Sequence, residues 1–428
     1  MEITRQQIEN ENFKSRHRKT TKAFTRTRSL PFALVMVLIM RKSLKSLQNV
    51  VNEAMTCLDQ SPVTASAYSQ ARYNLKHTAF IELNQTAIVE TVYSDDQYLR
   101  FWGFRVLAVD GSKIVLPDNK EIREEFGTIA WSKGKDSEIQ GERPYALASV
   151  MYDVLNRVAL DATLGKAKAY EVDLAIAHLA QTRTGDLLTM DRNYPSYRML
   201  AEMSHLGRDF VVRCSAASFA VARQMLKGEG ADSQIVTLTP CAVQMPLIQK
   251  LDLPKSLKVR LVRVQLSTGE YEVLVTSLLD EFLYPTQEFL ELYHLRWGIE
   301  TFYGLIKTRL ELENFTGIGV EAVKQDFHAT VYLSGLESLL TDAAQAQLDA
   351  KKAKYPQTVN RAVSFNAIKN QALDLLFGDM ETSPILEKLT ALFLTTPCLE
   401  RSDRNPPRKK SSARVLLNFH KRQKKHCF

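Results

Sequence analysis

The sequence predicts an α/β protein built on a sheet of mixed strand direction, flanked by helical regions at both ends. Three observations lead there. Residues 105–109, Arg-Val-Leu-Ala-Val, form a short continuous apolar run of the kind that a strand buried on both faces shows. Residues 145–154 and 157–164 read as two further strands joined by a turn at Leu155-Asn156. From residue 170 to 213, helix-period and strand-period segments then alternate, the pattern of an α/β sheet.

The elements follow in order. Residues 1–30 are polar and basic, with Lys14, Arg16, Arg18, Lys19, Lys22, Arg26 and Arg28. The apolar run 31–40 predicts a buried helix, being too short to span a bilayer. A second helix carries Leu44, Leu47, Val51, Ala54 and Leu58. Ser61-Pro62 predicts a third helix start, with Ser as cap and Pro in the first turn. That helix includes Ser69-Gln70-Ala71-Arg72, small enough to approach a phosphate backbone. The strand at 105–109 is expected to stop at Asp110-Gly111, and a second run at 114–116 ends on Pro117. Helix 170–181 places Val172, Ile176 and Leu179 on one face, and strand 187–190 stops at Asp191-Arg-Asn-Tyr-Pro195. A helix through Leu200 and a strand at 209–213 follow. Strand signals return at 235–238, 258–266 and 271–277, the last two around a hairpin-like Ser267-Thr-Gly-Glu270. Beyond residue 280 the chain is helical: one segment carries Leu333, Leu336 and Leu340, another runs to Phe377 before Gly378, and a third starts at Ser383-Pro384. Five regions result: 1–100, 101–213, 214–279, 280–345 and 346–428.

Charge is unevenly placed along the 428 residues. The whole chain carries +8, yet residues 1–45 hold +8 and residues 401–428 hold +9, which leaves −9 for the middle. Basic ends on an acidic body fit a protein that lays its termini on a polyanion. The cysteines (57, 214, 241, 398 and 427) lie far apart with no C-x-x-C pair, which argues against a disulfide framework and a structural zinc site and for a reducing, cytoplasmic compartment.

One stretch concentrates chemistry. Tyr293, Arg296, Glu300 and Lys307 are spaced Y-x2-R-x3-E-x6-K. On a helix they fall within an arc of roughly 60°. Leu292, Leu295, Ile299, Phe302, Ile306 and Leu310 line the adjoining apolar face. A carboxylate between two cations and a phenol suits a metal ligand beside a phosphate clamp; an i,i+4 pair on a solvated face is the plainer alternative. Two predicted strands also end in aspartate, at Asp110 and Asp191. If those strands are neighbours, the two acids lie side by side, and Glu300 completes three hard oxygen ligands of the type Mg²⁺ prefers. Asp118, Asp153, Asp161, Asp173 and Asp186 are competing acids.

The motifs V-D-G-S-K-I-V-L-P (109–117), M-D-R-N-Y (190–194) and Y-H-L-R-W-G-I-E-T-F-Y-G-L-I-K (293–307) resemble the three blocks of bacterial DDE transposases of the insertion-sequence 4 family. The resemblance spans about residues 60 to 345. It implies an RNase H-like mixed-sheet catalytic core with a β-rich insertion. It also implies cut-and-paste transposition with Mg²⁺, for which Mn²⁺ can substitute. Asp110, Asp191 and Glu300 would be the catalytic, metal-binding triad; Tyr293, Arg296, Lys307 and Arg192 would contact DNA. The implied partners are terminal inverted repeats and target DNA, engaged by a homodimer in a bacterial, nucleoid-associated setting with no membrane. The alternatives are a catalytically silent DNA-end-binding protein, or a metal-dependent nuclease without strand transfer.

Overall fold

A computed structural model of the chain describes residues 1–25, 29–41, 45–132, 139–377 and 382–399. Arg26, Arg28, Leu44, Gly378 and the basic tail 401–428 therefore lie outside the described residues. The chain divides into two compact units: Met1–Asp95 with Lys113–Ala146 and Gly304–Phe428, and Asp96–Ser112 with Leu147–Tyr303.

The second unit is built on the sheet. Its strands are β1 (Arg105–Val115, of which 113–115 are in the first unit), β2 (Thr128–Ser132, in the first unit), β3 (Ile139–Asp153, of which 139–146 are in the first unit), β4 (Val158–Lys166), β5 (Asp186–Met190), β6 (Asp209–Arg213), β7 (Ser233–Leu238), β8 (Leu257–Gln265) and β9 (Tyr271–Thr276). β4 pairs with β3, and the order then runs β3, β1, β5, β6, β9, β8, β7. β1 and β5 are parallel, as are β5 and β6, whereas β9 is antiparallel to β6. The first five core strands in chain order thus occupy places third, second, first, fourth, fifth, which is the RNase H-like arrangement. Residues 214–279 continue the same sheet, because β9 takes the edge of β6 and β8 pairs along β9 from Arg260↔Thr276 to Gln265↔Tyr271. Gly269, with φ of 83°, makes the turn between them.

Two expectations change here. The strand does not stop at Asp110-Gly111; β1 runs through both residues to Val115. Gly111 has no positive φ that would turn the chain. The space a Cβ would need there is closed by Leu147 Cδ1 and the Glu171 carboxyl carbon, each 3.3 Å away. The glycine thus serves close approach and not a turn. The helix predicted across 293–307 is interrupted once, giving Phe289–Leu295 and Trp297–Thr308. At the junction the bonds are of the tighter i→i+3 kind, Arg296 N to Tyr293 O at 3.1 Å and Ile299 N to Arg296 O at 3.2 Å. The apolar face survives the break: Leu292, Ile299, Phe302, Ile306 and Leu310 are buried, and Leu295 is half-buried. Phe289 and Leu292 lie in one cluster with Val106 of β1, Leu187 of β5, Val211 of β6 and Leu274 of β9. That cluster seats the first of the two helices on the sheet.

The first unit is mainly helical. All nine residues of helix Phe32–Met40 are buried, as its all-round apolar sequence predicts. The third helix starts later than Ser61-Pro62. It spans Ala65–Tyr73, because the Thr64 hydroxyl accepts from Ala67 N at 3.1 Å and so sets the cap. Arg72 turns inward from it, donating to Gln325 Oε1 at 2.7 Å and Asp326 Oδ1 at 2.9 Å, while Ser69 and Gln70 are exposed. Helix Val320–Asp349 is 30 residues long and buried from Gln325 to Ser338. Gly335 lets it approach the Gln85–Val89 π-helical turn closely, for a Cβ there would lie 2.6 Å from Ile88 Cγ2. β2 pairs antiparallel with the first half of β3, and helix Lys120–Phe126 begins on Asn119, whose Oδ1 accepts from Ile122 N at 3.0 Å. Neither element stands out in the sequence. No helix among the described residues is long and apolar enough to cross a membrane.

Candidate active site

The site is built where the parallel pairing of two strands ends. β1 and β5 pair in register from Arg105↔Asp186 to Val109↔Met190. Asp110 and Asp191 each follow the last pair, so the two carboxylates leave neighbouring strands at equivalent positions. Asp110 Oδ1 accepts the N–H of Gly111 at 2.8 Å, and Asp191 Oδ1 accepts that of Asn193 at 2.8 Å, opening the turn. Burial pushes the Asp110 carboxyl up to about 7, with the negative charges of Asp191 and Glu300 acting in the same direction; Gly111 N–H and the Arg296 guanidinium oppose them. Asp110, Asp191, Glu300 and Arg296 therefore share one electrostatic environment.

The helix pair supplies the other side. Tyr293 is buried, with its hydroxyl 3.5 Å from Met190 O, directly before Asp191. The Arg296 guanidinium lies over the rings of Tyr293 and Trp297, 5.5 and 5.0 Å from their centroids. Its Nη2 donates to Glu300 Oε1 at 2.8 Å, while Nε has no partner among the described residues. The pair is asymmetric: the Arg296 side chain is 4% exposed and that of Glu300 43%. Arg192 is exposed beside Asp191. Lys307 belongs to the first unit, where its Nζ donates to Lys113 O at 2.7 Å.

The competing acids are engaged elsewhere. Asp186 makes a buried two-pronged pair with Arg105, at 2.7 Å to each oxygen. Asp161 binds His178 at 2.7 Å, and that ring's other nitrogen meets the Ser149 hydroxyl. Asp153 accepts the turn N–H groups of Leu155 and Asn156, Asp173 pairs with Arg198, and Asp118 pairs with Arg123. Three polar groups at the site did not stand out in the sequence. The Tyr303 hydroxyl donates to Asp110 O at 2.9 Å and also lies 3.1 Å from Ala148 O; its spacing of three from Glu300 was the available signal. Tyr194 is fully buried, and its hydroxyl has no partner among the described residues. Glu171 opens helix Glu171–His178 against Gly111.

Hard carboxylate oxygens at a partly buried, mutually repelling cluster fit a divalent cation in chemistry and in charge. The described residues include no group of three His, Cys, Asp or Glu closed on one ion-sized point, and Glu300 is turned to Arg296.

The match to a family model gives the class. Residues 102–333 match the transposase DDE domain family, more than half of the chain, and the chain belongs to that family. It is thus a transposase, a nuclease-type enzyme whose family generally uses divalent metals. Among solved structures, the piggyBac transposase synaptic complex with hairpin DNA, determined by cryo-electron microscopy, is similar at a TM-score of 0.44 and 9% identity, over 97% of this chain and 86% of that one. No curated protein matches the chain.

Proposed function

We infer that this transposase is of the insertion-sequence 4 kind, binding the terminal inverted repeats of its element and cutting and rejoining DNA through Asp110, Asp191 and Glu300. The observation that carries the reading is the β1–β5 register, which ends one residue before each aspartate while every competing acid named above is held by another group. When bound, a pair of Mg²⁺ ions would activate a water or a 3′-hydroxyl and offset charge on the departing oxygen of a phosphodiester. Asp110 and Asp191 would hold their carboxylates where the β1–β5 pairing ends, and Glu300 would supply the third from the helix. Arg296, buried and stacked, orients Glu300 and balances part of the cluster's charge. Exposed Arg192 is left to meet a DNA phosphate, and Lys307 does so by exchanging its bond to Lys113 O. The basic ends would bind the flanking duplex mainly through phosphates, with affinity falling steeply as salt rises. A homodimer would bridge two ends and the target, in the cytoplasm on the nucleoid.

The test is Mg²⁺-dependent nicking of DNA carrying the element's ends. Glu300→Gln should abolish nicking while end binding is retained. A variant that cuts as fast as the parent removes Glu300 from the chemistry. Nicking with no joined product in the parent would favour a nuclease without strand transfer.

A further inference from the structure

One border of the sheet is open. β7 pairs only with β8, at the end of the strand order. The antiparallel register runs from Ser233↔Val262 to Leu238↔Leu257, and Asp232 O accepts from Arg263 N at 2.7 Å just before it. That bond fixes the alternation: even-numbered residues of β7 exchange bonds with β8, and Ser233, Ile235 and Thr237 turn their N–H and C=O groups outward. Among the described residues no hydrogen bond meets those outward groups. Ile235 is 47% exposed, and Thr237 is exposed as well. The strand is nevertheless held firmly at its start, where the Ser233 hydroxyl accepts from Arg260 Nε at 2.8 Å. An open strand is a template for further pairing, and proteins normally guard one with a charge, a proline or a bulge. At the far side of the sheet β4 carries Asp161 and Lys166. β7 reads Ser-Gln-Ile-Val-Thr-Leu, with no charge, no proline and an unbroken register.

We propose that β7 is a self-association surface, joining two copies edge to edge about a two-fold axis through the Ile235 pair, so that two sheets become one. The strand matches itself in that register. With Ile235 opposite Ile235 of a second copy, Ser233 meets Thr237 and Gln234 meets Val236, so isoleucine covers isoleucine and the two small hydroxyl residues face each other. Outward groups then meet only outward groups, and three residue pairs exchange two backbone bonds each, about six in all. No like charges are opposed. DNA is a poor occupant, because the strand offers no cation to a phosphate. The proposal gives the homodimer inferred above a surface and rests on that reading.

Sedimentation equilibrium of the full chain at low salt, without DNA, tests it. The parent should self-associate as its concentration rises. Ile235→Lys and Ile235→Glu each oppose like charges across the axis and should each weaken association about tenfold or more, whereas an equimolar mixture of the two should return to within about threefold of the parent. Only a residue that faces its own copy gives that recovery. Thr237→Pro removes an outward N–H and leaves the bonds to β8 in place, so the chain should fold and associate about tenfold more weakly. Parent-like association in all three variants puts the homodimer contact elsewhere; the proposal then falls alone and the homodimer reading stands. Weakening by both charges with no recovery in the mixture overturns the pairing across the axis. A parent that stays monomeric at every concentration also overturns it, and leaves the edge to an extended segment of another protein. Should the charged variants not fold, Thr237→Pro decides, and parent-like association in it overturns the proposal.

Discussion

Replacing Asp110 by asparagine should make the metal-free protein more stable at pH 8. The carboxyl is raised from 3.8 to about 7, so ionising it in the folded chain is disfavoured by about three pKa steps. At 1.36 kcal/mol per step the ceiling is about 4 kcal/mol, and water reaching a partly buried carboxylate brings the expectation to about 2 kcal/mol. Asparagine keeps an oxygen for the Gly111 N–H, which Asp110 holds at 2.8 Å, so the substitution removes charge more than structure. The sign follows from linkage. The charged carboxylate destabilises the fold above about pH 7; the penalty shrinks as pH falls through 7 and is gone below 3.8, where both states are protonated. The difference between variant and parent in urea-unfolding free energy should therefore be greatest at pH 8 and vanish near pH 3.5. Saturating Mn²⁺ should close it at pH 8, because a cation at 100 times its Kd adds about 2.7 kcal/mol to the parent. A parent more stable than the variant at pH 8 without metal would refute the reasoning, since burial would then not be disfavouring the charged carboxylate.

Three further outcomes are expected. Arg105→Leu should cost about 3–5 kcal/mol in urea unfolding by leaving Asp186 buried without its cation, and adding Asp186→Leu should recover much of it. Gly335→Ala should lower the thermal midpoint, because a Cβ 2.6 Å from Ile88 Cγ2 costs about 1–3 kcal/mol, more than the roughly 1 kcal/mol that alanine contributes to a helix. Pairing it with Ile88→Ala should cost less than the two single changes summed. Arg296→Lys keeps the charge but loses the guanidinium held over the Tyr293 and Trp297 rings; single-turnover nicking should fall by about tenfold or more with end binding nearly unchanged.

The elements that carry the three acids were legible because parallel buried strands and an amphipathic helix each leave a strong periodic signal. Runs such as 105–109 and 187–190 carry no alternation and so mark a sheet covered on both faces. What hid the course of β1 was Asp110-Gly111, a dipeptide that usually turns; here the strand continues through it to Val115, paired in the sheet with β3. The break at Arg296 was invisible for a related reason, because both halves of 289–308 have good helix composition and only packing introduces the tighter turn. Arg72 read as a surface cation, since nothing near it in sequence shows that Asp326, some 250 residues away, lies within 2.9 Å. Helix Val320–Asp349 left only fragments of its pattern, being buried nearly all round and so lacking a polar stripe.

The Arg105–Asp186 ion pair has a consequence at a distance. These two residues are also the first backbone partners of the β1–β5 ladder, five residues upstream of the acids and about 16 Å away along the strand. A slip by one residue would turn every side chain on one strand to the wrong face, and it would also separate this clamp. The placing of Asp110 beside Asp191 at one end of the ladder is in this way indexed by a bolt at the other. Loops and helices between the strands can lengthen or shorten without changing which carboxylate faces which, provided the bolt holds.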